Sequence, residues 1–342
     1  MVDYQAHKEF DSTLSEGSWN VKISGEQNNS AVSGKVLAEM KEYYEDIVVL
    51  TADVGWSTRL TDFEEKYPDS YYNLGISEQN MVTVAAGLST TGKRPYISTF
   101  NSFLSLLSCE QIRTSVAYPK LPVRIIGTHS GMTFGFYGTS HHALEDLSIL
   151  RAMANMTVVC PADAIQLESA LKNTYDFPGP VFFRVGRGRD KQVYDTIDSS
   201  FELGKANVLT KGDDLTIVTN GLTLSAVVDA AEMLKRENIY IQVVDAHTIK
   251  PFDNQTIINS IKQTGKIMTV EEHSIIGGIG SCVAEVIADN NLNCNFIRHG
   301  IYDEYVLIGP PKALYNYYEL DADGIVKRVK EFLKNPVNNK SF

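Results

Sequence analysis

Glu78 is the side chain in this sequence best placed for proton chemistry. It lies in Tyr71-Tyr72-Asn73-Leu74-Gly75-Ile76-Ser77-Glu78-Gln79-Asn80-Met81, which runs on through Val82-Thr83-Val84-Ala85-Ala86-Gly87-Leu88. The stretch reads as a short aromatic and apolar strand, a turn at Gly75, and a helix with Ser77 as its N-cap. Met81, Val84, Ala85 and Leu88 recur at helical spacing and give one buried face. One carboxylate therefore stands in the first helical turn beyond a strand, at the edge where open α/β sheets place their ligand sites. Two readings are open. The helix dipole favours an acid in any first turn. A carboxyl there can also share a proton with a weakly basic group, burial raising its pKa and the helix N-terminus lowering it.

Three other stretches carry reactive or ligand-type residues. Arg94-Pro95-Tyr96-Ile97-Ser98-Thr99-Phe100 predicts a strand that leads into a helix near Ser102. Phe100, Phe103, Leu104 and Leu107 follow at i, i+3, i+4 and i+7, the spacing of a core stripe. The strand Leu121 to Gly127 feeds the loop Thr128 to His142, rich in Gly, His and hydroxyls and thus better suited to a site than to a core. A metal reading of its three histidines fails, because His141 and His142 are adjacent and no acid follows at ligand spacing; no metal site is expected in this chain. Val181 to Arg187 is a strand ending in basic residues, of which Arg184 reads equally as an ion-pair partner or an anion ligand.

The elements that must position these residues alternate between strand and helix. Ala31 to Tyr44 predicts a helix, Ile47 to Leu50 a buried strand, and Thr51 to Ser57 the loop at its end, where Asp53 can cap the next turn. Asn155 to Ala164 is a strand followed by a helix from near Pro161. Residues 1–28 form a polar lead-in, 29–190 a first domain, 191–204 a polar linker and 205–342 a second domain. The second repeats the pattern at Leu215 to Gly221, Thr223 to Asn238, Ile239 to Val244 and Lys266 to His273. Two parallel-sheet α/β domains are expected. The run Gly277-Gly278-Ile279-Gly280-Ser281 lacks the GxGxxG spacing, so close packing explains it better than a nucleotide. With 31 basic against 42 acidic residues, net charge −11, general binding to nucleic acid or anionic membrane is not expected. Cys109, Cys160, Cys282 and Cys294 form no CxxC or zinc pattern and fit reduced thiols of a cytoplasmic protein.

Gly-Ile-Ser-Glu-Gln-Asn-Met followed by Ala-Ala-Gly-Leu resembles the glutamate motif of the transketolase family. The resemblance covers roughly residues 30 to 335, the family's pyrimidine-binding and C-terminal domains. It implies thiamine diphosphate as cofactor, with Glu78 contacting the aminopyrimidine ring and promoting deprotonation of the thiazolium carbon. It implies that Asp53, Phe100 and Phe103 bind the cofactor, the two aromatics enclosing its pyrimidine ring. It implies that Ser57, His129 and Arg184 hold substrate phosphate, and that His141 donates a hydrogen bond to the substrate carbonyl oxygen. Two positions depart from the family's pattern: Tyr137 stands where an Asp reads a substrate hydroxyl, and Gly34 falls near a phosphate-clamping Arg. Both point to a wider or less anionic substrate site.

The family's diphosphate and Mg²⁺ motif, Gly-Asp-Gly followed at a distance by Asn, does not occur; Gly212-Asp213-Asp214 is only a turn. The resemblance therefore implies one subunit of a split transketolase. A separate N-terminal subunit would supply the diphosphate and Mg²⁺ site, most simply in an α₂β₂ heterotetramer. The expected reaction moves a two-carbon ketol unit from a ketose to an aldehyde, with sugars or sugar phosphates as substrates. Rival readings are the β subunit of a 2-oxoacid dehydrogenase, a deoxyxylulose-phosphate synthase and a non-catalytic assembly subunit.

Overall fold

The computed structural model describes residues 29–187, 191–197 and 200–335; the expected lead-in 1–28 lies outside them. Six strands of the first unit are β1 (Ile47–Thr51), β2 (Tyr71–Asn73), β3 (Arg94–Phe100), β4 (Arg124–Thr128), β5 (Thr157–Val159) and β6 (Val181–Arg184). The second unit supplies β7 (Asn207–Thr210), β8 (Leu215–Thr219), β9 (Ile241–Asp245), β10 (Thr248–Lys250), β11 (Lys266–Ser274) and β12 (Asn295–Ile301). The first sheet has the order β10-β5-β6-β4-β3-β1-β2 and the second β12-β11-β8-β9-β7. Both are parallel except for one antiparallel edge strand each, β10 and β7. β10 crosses from the second unit to pair with β5, so the two units share a sheet.

Central strands such as Ile47–Thr51 and Arg124–Thr128 are buried along their whole length, as strands covered by helices on both faces must be. Successive strands of the first sheet run to one side and then the other of β1, so the order reverses between β1 and β3. A crevice opens outside the carboxyl ends of strands at such a reversal. The registers bring these ends level: Thr51 pairs with Asn73 and with Ser98, and Phe100 with Thr128.

Helix ends follow local chemistry. The helix Glu78–Thr90 begins where expected, but Ser77 makes no side-chain cap; its hydroxyl donates to Leu74 O at 2.8 Å. The helix expected from near Pro161 spans Ala164–Asn173, because the Asp163 carboxylate accepts from Gln166 N at 2.9 Å and caps it there. Beyond β3 the chain is helical with π-helical turns over Phe103–Leu107 and Ile112–Ala117, a geometry common at functional sites. The glycine run serves close packing. A Cβ on Gly278 would stand 1.9 Å from Glu271 Oε2, and the buried Glu271 carboxylate accepts from Ile279 N and Gly280 N at 2.8 and 3.0 Å.

Candidate active site

The carboxyl edge of the first sheet collects the expected residues. Asp53 follows β1, Glu78 follows β2, Phe100 ends β3, His129 follows β4 and Arg187 follows β6. Asp53 is exposed and adopts φ 61°, held by a two-way bond with Asn73: its N–H donates to Asn73 Oδ1 at 3.0 Å and its Oδ1 accepts from Asn73 Nδ2 at 2.9 Å. Asn73 Oδ1 also accepts from Gly75 N, so one amide fixes the turns that aim Asp53 and Glu78. Ser57 lies half-buried in the turn that follows Asp53.

Glu78 opens its helix and is 6% exposed, yet among the described residues its carboxylate has no hydrogen bond or ion pair. Gln79 Nε2 donates to Leu107 O at 3.0 Å and ties that helix start to the π-helical turn carrying Phe103. Ile76 (85% exposed), Leu106 (49%) and Leu107 (53%) surround it with apolar surface.

A cluster of rings stands beside this edge. Phe100 lies 4.5 Å from His129, 5.1 Å from Phe134 and 6.0 Å from Phe103, centroid to centroid. His141 lies 5.3 Å from Phe103, 5.1 Å from Phe134 and 4.9 Å from Tyr137. The structure thus brings Phe100, Phe103, His129, His141 and Tyr137 into one wall. Phe134 is its centre, and sequence reasoning does not single it out. The glycine, histidine and hydroxyl content of its loop marks a site but says nothing of which aromatic turns inward.

Burial lowers the basicity of both imidazoles. His129 is pushed down to about 3 by desolvation first, then by Arg187, Arg59 and His141. It is neutral at ordinary pH, its Nδ1 3.0 Å from Thr128 Oγ1. His141 is half-buried and also lowered by desolvation, with Nδ1 2.9 Å from Ser140 Oγ. Neutral imidazoles donate one hydrogen bond each without bringing a charge.

The expectation for Arg184 is corrected. It is 4% exposed and turned inward: Nε donates to Asp146 Oδ2 at 2.7 Å, and Nη2 to Ala143 O and Glu272 O at 3.1 and 2.9 Å. A guanidinium so engaged is not offered to a substrate in this arrangement. The strand carries Arg184 to the interior, whereas Arg187, three residues on, is exposed with its guanidinium 5.0 Å over the Phe134 ring. Arg187 and Arg59 are the cations that His129 senses, and sequence reasoning singles out neither. Gly34 sits in the helix Asn29–Lys41, its N–H donating to Arg59 O at 3.1 Å; a Cβ there would stand 2.4 Å from that oxygen. The position packs against the Arg59 backbone and has no room for a clamping side chain.

The chain matches the family described as "Transketolase, pyrimidine binding domain" over residues 26–190 and "Transketolase, C-terminal domain" over residues 204–325. It is 38% identical over 298 residues to an apulose-4-phosphate transketolase subunit of Phocaeicola vulgatus, covering 87% of this chain and 95% of that one. It is 35% identical over 296 residues to 6-deoxy-6-sulfo-D-fructose transketolase subunit SqwH of Clostridium sp. (strain MSTE9), covering 86% and 91%. Among solved structures it resembles a split-gene transketolase described as an inactive beta4 tetramer, with TM-score 0.81, 40% identity, and coverage of 91% of this chain and 99% of that chain. The chain belongs to the transketolase family and matches separately encoded transketolase subunits over nearly their whole length.

Proposed function

We propose that this chain frames the aminopyrimidine end of thiamine diphosphate and the substrate of a split transketolase, and that a separate N-terminal subunit carrying the diphosphate and Mg²⁺ site completes it as a cytoplasmic α₂β₂ enzyme. The observation that carries the reading is Glu78. The residue is 6% exposed and its carboxylate has no partner among the described residues, yet its oxygens are not among the enclosed polar atoms, so they face an opening through which a group from outside can reach them. Its position beside an aromatic wall fits a flat ring with a weakly basic nitrogen. The exposed Ile76, Leu106 and Leu107 around it support a partner chain that covers this edge.

Thiamine diphosphate, when bound, supplies the nucleophilic carbon that carries the two-carbon unit between ketose and aldehyde. Glu78 takes up and returns a proton at its carboxyl oxygen toward the pyrimidine nitrogen. Phe100 and Phe103 keep water from that face, and Asp53 closes its rim. His141 donates a hydrogen bond to the carbonyl oxygen, where negative charge builds. His129, neutral and buried, orients a substrate hydroxyl or phosphate, with Ser57 beside the same edge. Tyr137 sets an aromatic face against His141. Arg187 and Arg59 favour a substrate that carries an anionic group. Two relatives are named for sugars bearing a phosphate or a sulfo group, which agrees with that charge.

Calorimetric titration of thiamine diphosphate with Mg²⁺ tests the assignment. Tight binding is expected when this chain is combined with its N-terminal partner, and none to this chain alone. Absence of binding in a complex that forms normally would overturn the reading.

A further inference from the structure

We propose that Glu272, on the C-terminal unit, is a positioning residue for the transferase reaction, holding the loop 129–142 and through it the imidazoles of His129 and His141. The inference rests on the transketolase reading above. Glu272 is 2% exposed at the end of β11, and its Oε1 accepts a hydrogen bond from Met132 N. Gly131 makes the approach possible: it adopts φ +61°, and a Cβ there would lie 2.2 Å from the Glu272 carboxyl carbon. The loop is closed at its neck by the Gly131–Ala143 pair, N to O at 3.0 and 3.1 Å. Arg184 spans the same neck, bonding Ala143 O and the backbone carbonyl of Glu272 through one nitrogen. On the first unit, Asn101 Nδ2 reaches Ser130 Oγ at 2.8 Å and also bonds Asp146, the partner of Arg184.

His129 and His141 each lie two residues before one side of this neck. Both units hold this neck, the C-terminal unit through Glu272, and the C-terminal unit ties the loop a second time where Gly309 N donates to Gly135 O at 3.1 Å. A displacement of about 1 Å in a group that must meet a reacting carbonyl costs on the order of a hundredfold in rate.

Hydrogen–deuterium exchange on the full chain reads the holding directly. Glu272→Ala should speed exchange of the amides in 130–143 by about tenfold, the loss of one buried hydrogen bond. The helix Glu78–Thr90 should exchange as before. Glu272→Gln keeps an acceptor oxygen for Met132 and should behave as the unaltered chain. Unchanged exchange over 130–143 in Glu272→Ala overturns the proposal, and so does equal acceleration over Glu78–Thr90, which marks general loss of structure. In the reconstituted enzyme, with hydroxypyruvate as donor and glycolaldehyde as acceptor, Glu272→Ala should lower kcat about tenfold or more while thiamine diphosphate affinity holds. The same change in a background with both His129→Ala and His141→Ala should cost nothing further. An equal further loss there means Glu272 does not act through these imidazoles and overturns the proposal. Retained turnover in a Glu78 variant would sink the transketolase reading instead, and the exchange result would still decide whether Glu272 holds the loop.

Discussion

Glu78 and Asp146 are both buried carboxylates, and their surroundings separate their roles. Asp146 is 0% exposed and its Oδ2 receives Asn101 and Arg184. Removing it would leave a buried guanidinium without its counter-charge, an expensive loss of fold. Glu78 has no such partner among the described residues, so its removal breaks no ion pair or hydrogen bond of the fold there. Glu78→Gln keeps the volume and cannot exchange a proton. It is expected to lower turnover of the reconstituted enzyme by about a hundredfold or more, the usual weight of a general acid–base group. The urea midpoint of the isolated chain should stay level or rise. Near-normal turnover in steady-state kinetics would remove Glu78 from the chemistry, and a large fall in the midpoint would show that its role is structural.

At the scale of elements, Asp163 illustrates how one side chain joins two segments. It is 1% exposed, caps the helix Ala164–Asn173 through Oδ1, and receives Val193 N and Tyr194 N on Oδ2, each at 2.8 Å. Loss of the cap costs about 1 kcal/mol, and two stranded amides add about 1 kcal/mol or more each. Asp163→Ala should therefore cost about 3 kcal/mol by urea denaturation, with Asp163→Asn between it and the unaltered chain; a cost under about 0.5 kcal/mol would contradict the dual role. The same residue shows what sequence reading reaches. The strands were legible because Ile47 to Thr51 and Leu215 to Thr219 are apolar runs with polar ends. Glu78, Phe100 and His129 were legible as places because each follows a strand, and carboxyl ends align in a parallel sheet. Arg184 was not: its fate depends on Asp146 and on a carbonyl of Glu272, partners brought by folding rather than by spacing. The crossing of β10 into the first sheet was hidden for the same reason, since its pairing with β5 joins segments some ninety residues apart.

The whole molecule carries an unusual load of buried ionisable groups, and their signs oppose. Burial raises three carboxyls: Asp245 and Glu272 to about 7, and Glu271 to about 8. Each holds its proton in the folded chain after the unfolded chain has lost it, so its stability contribution is full below about pH 4 and lost as pH rises through its folded value. Burial lowers six histidines: His129 to about 3, His247, His273 and His299 to about 4, and His141 and His142 in the same direction. Each destabilises the fold as pH falls below about 6.5, where the unfolded chain binds a proton that the folded chain refuses. From about pH 4.5 to 6.5 the protons of the histidines, which favour the unfolded chain, outnumber the three of the carboxyls, which favour the folded one, so stability rises with pH there. Above about pH 7.5 the histidines are neutral in both states and only the carboxyls remain. The urea midpoint of the isolated chain is therefore expected to rise from about pH 5, to be highest at about pH 6.5 to 7 and to fall between about pH 7 and 8.5. Glu271→Gln, which cannot ionise, should flatten part of that fall. A midpoint that climbs steadily through pH 8 would show that these carboxyls ionise freely in the folded chain, and the buried face between the two units would then have to be wet.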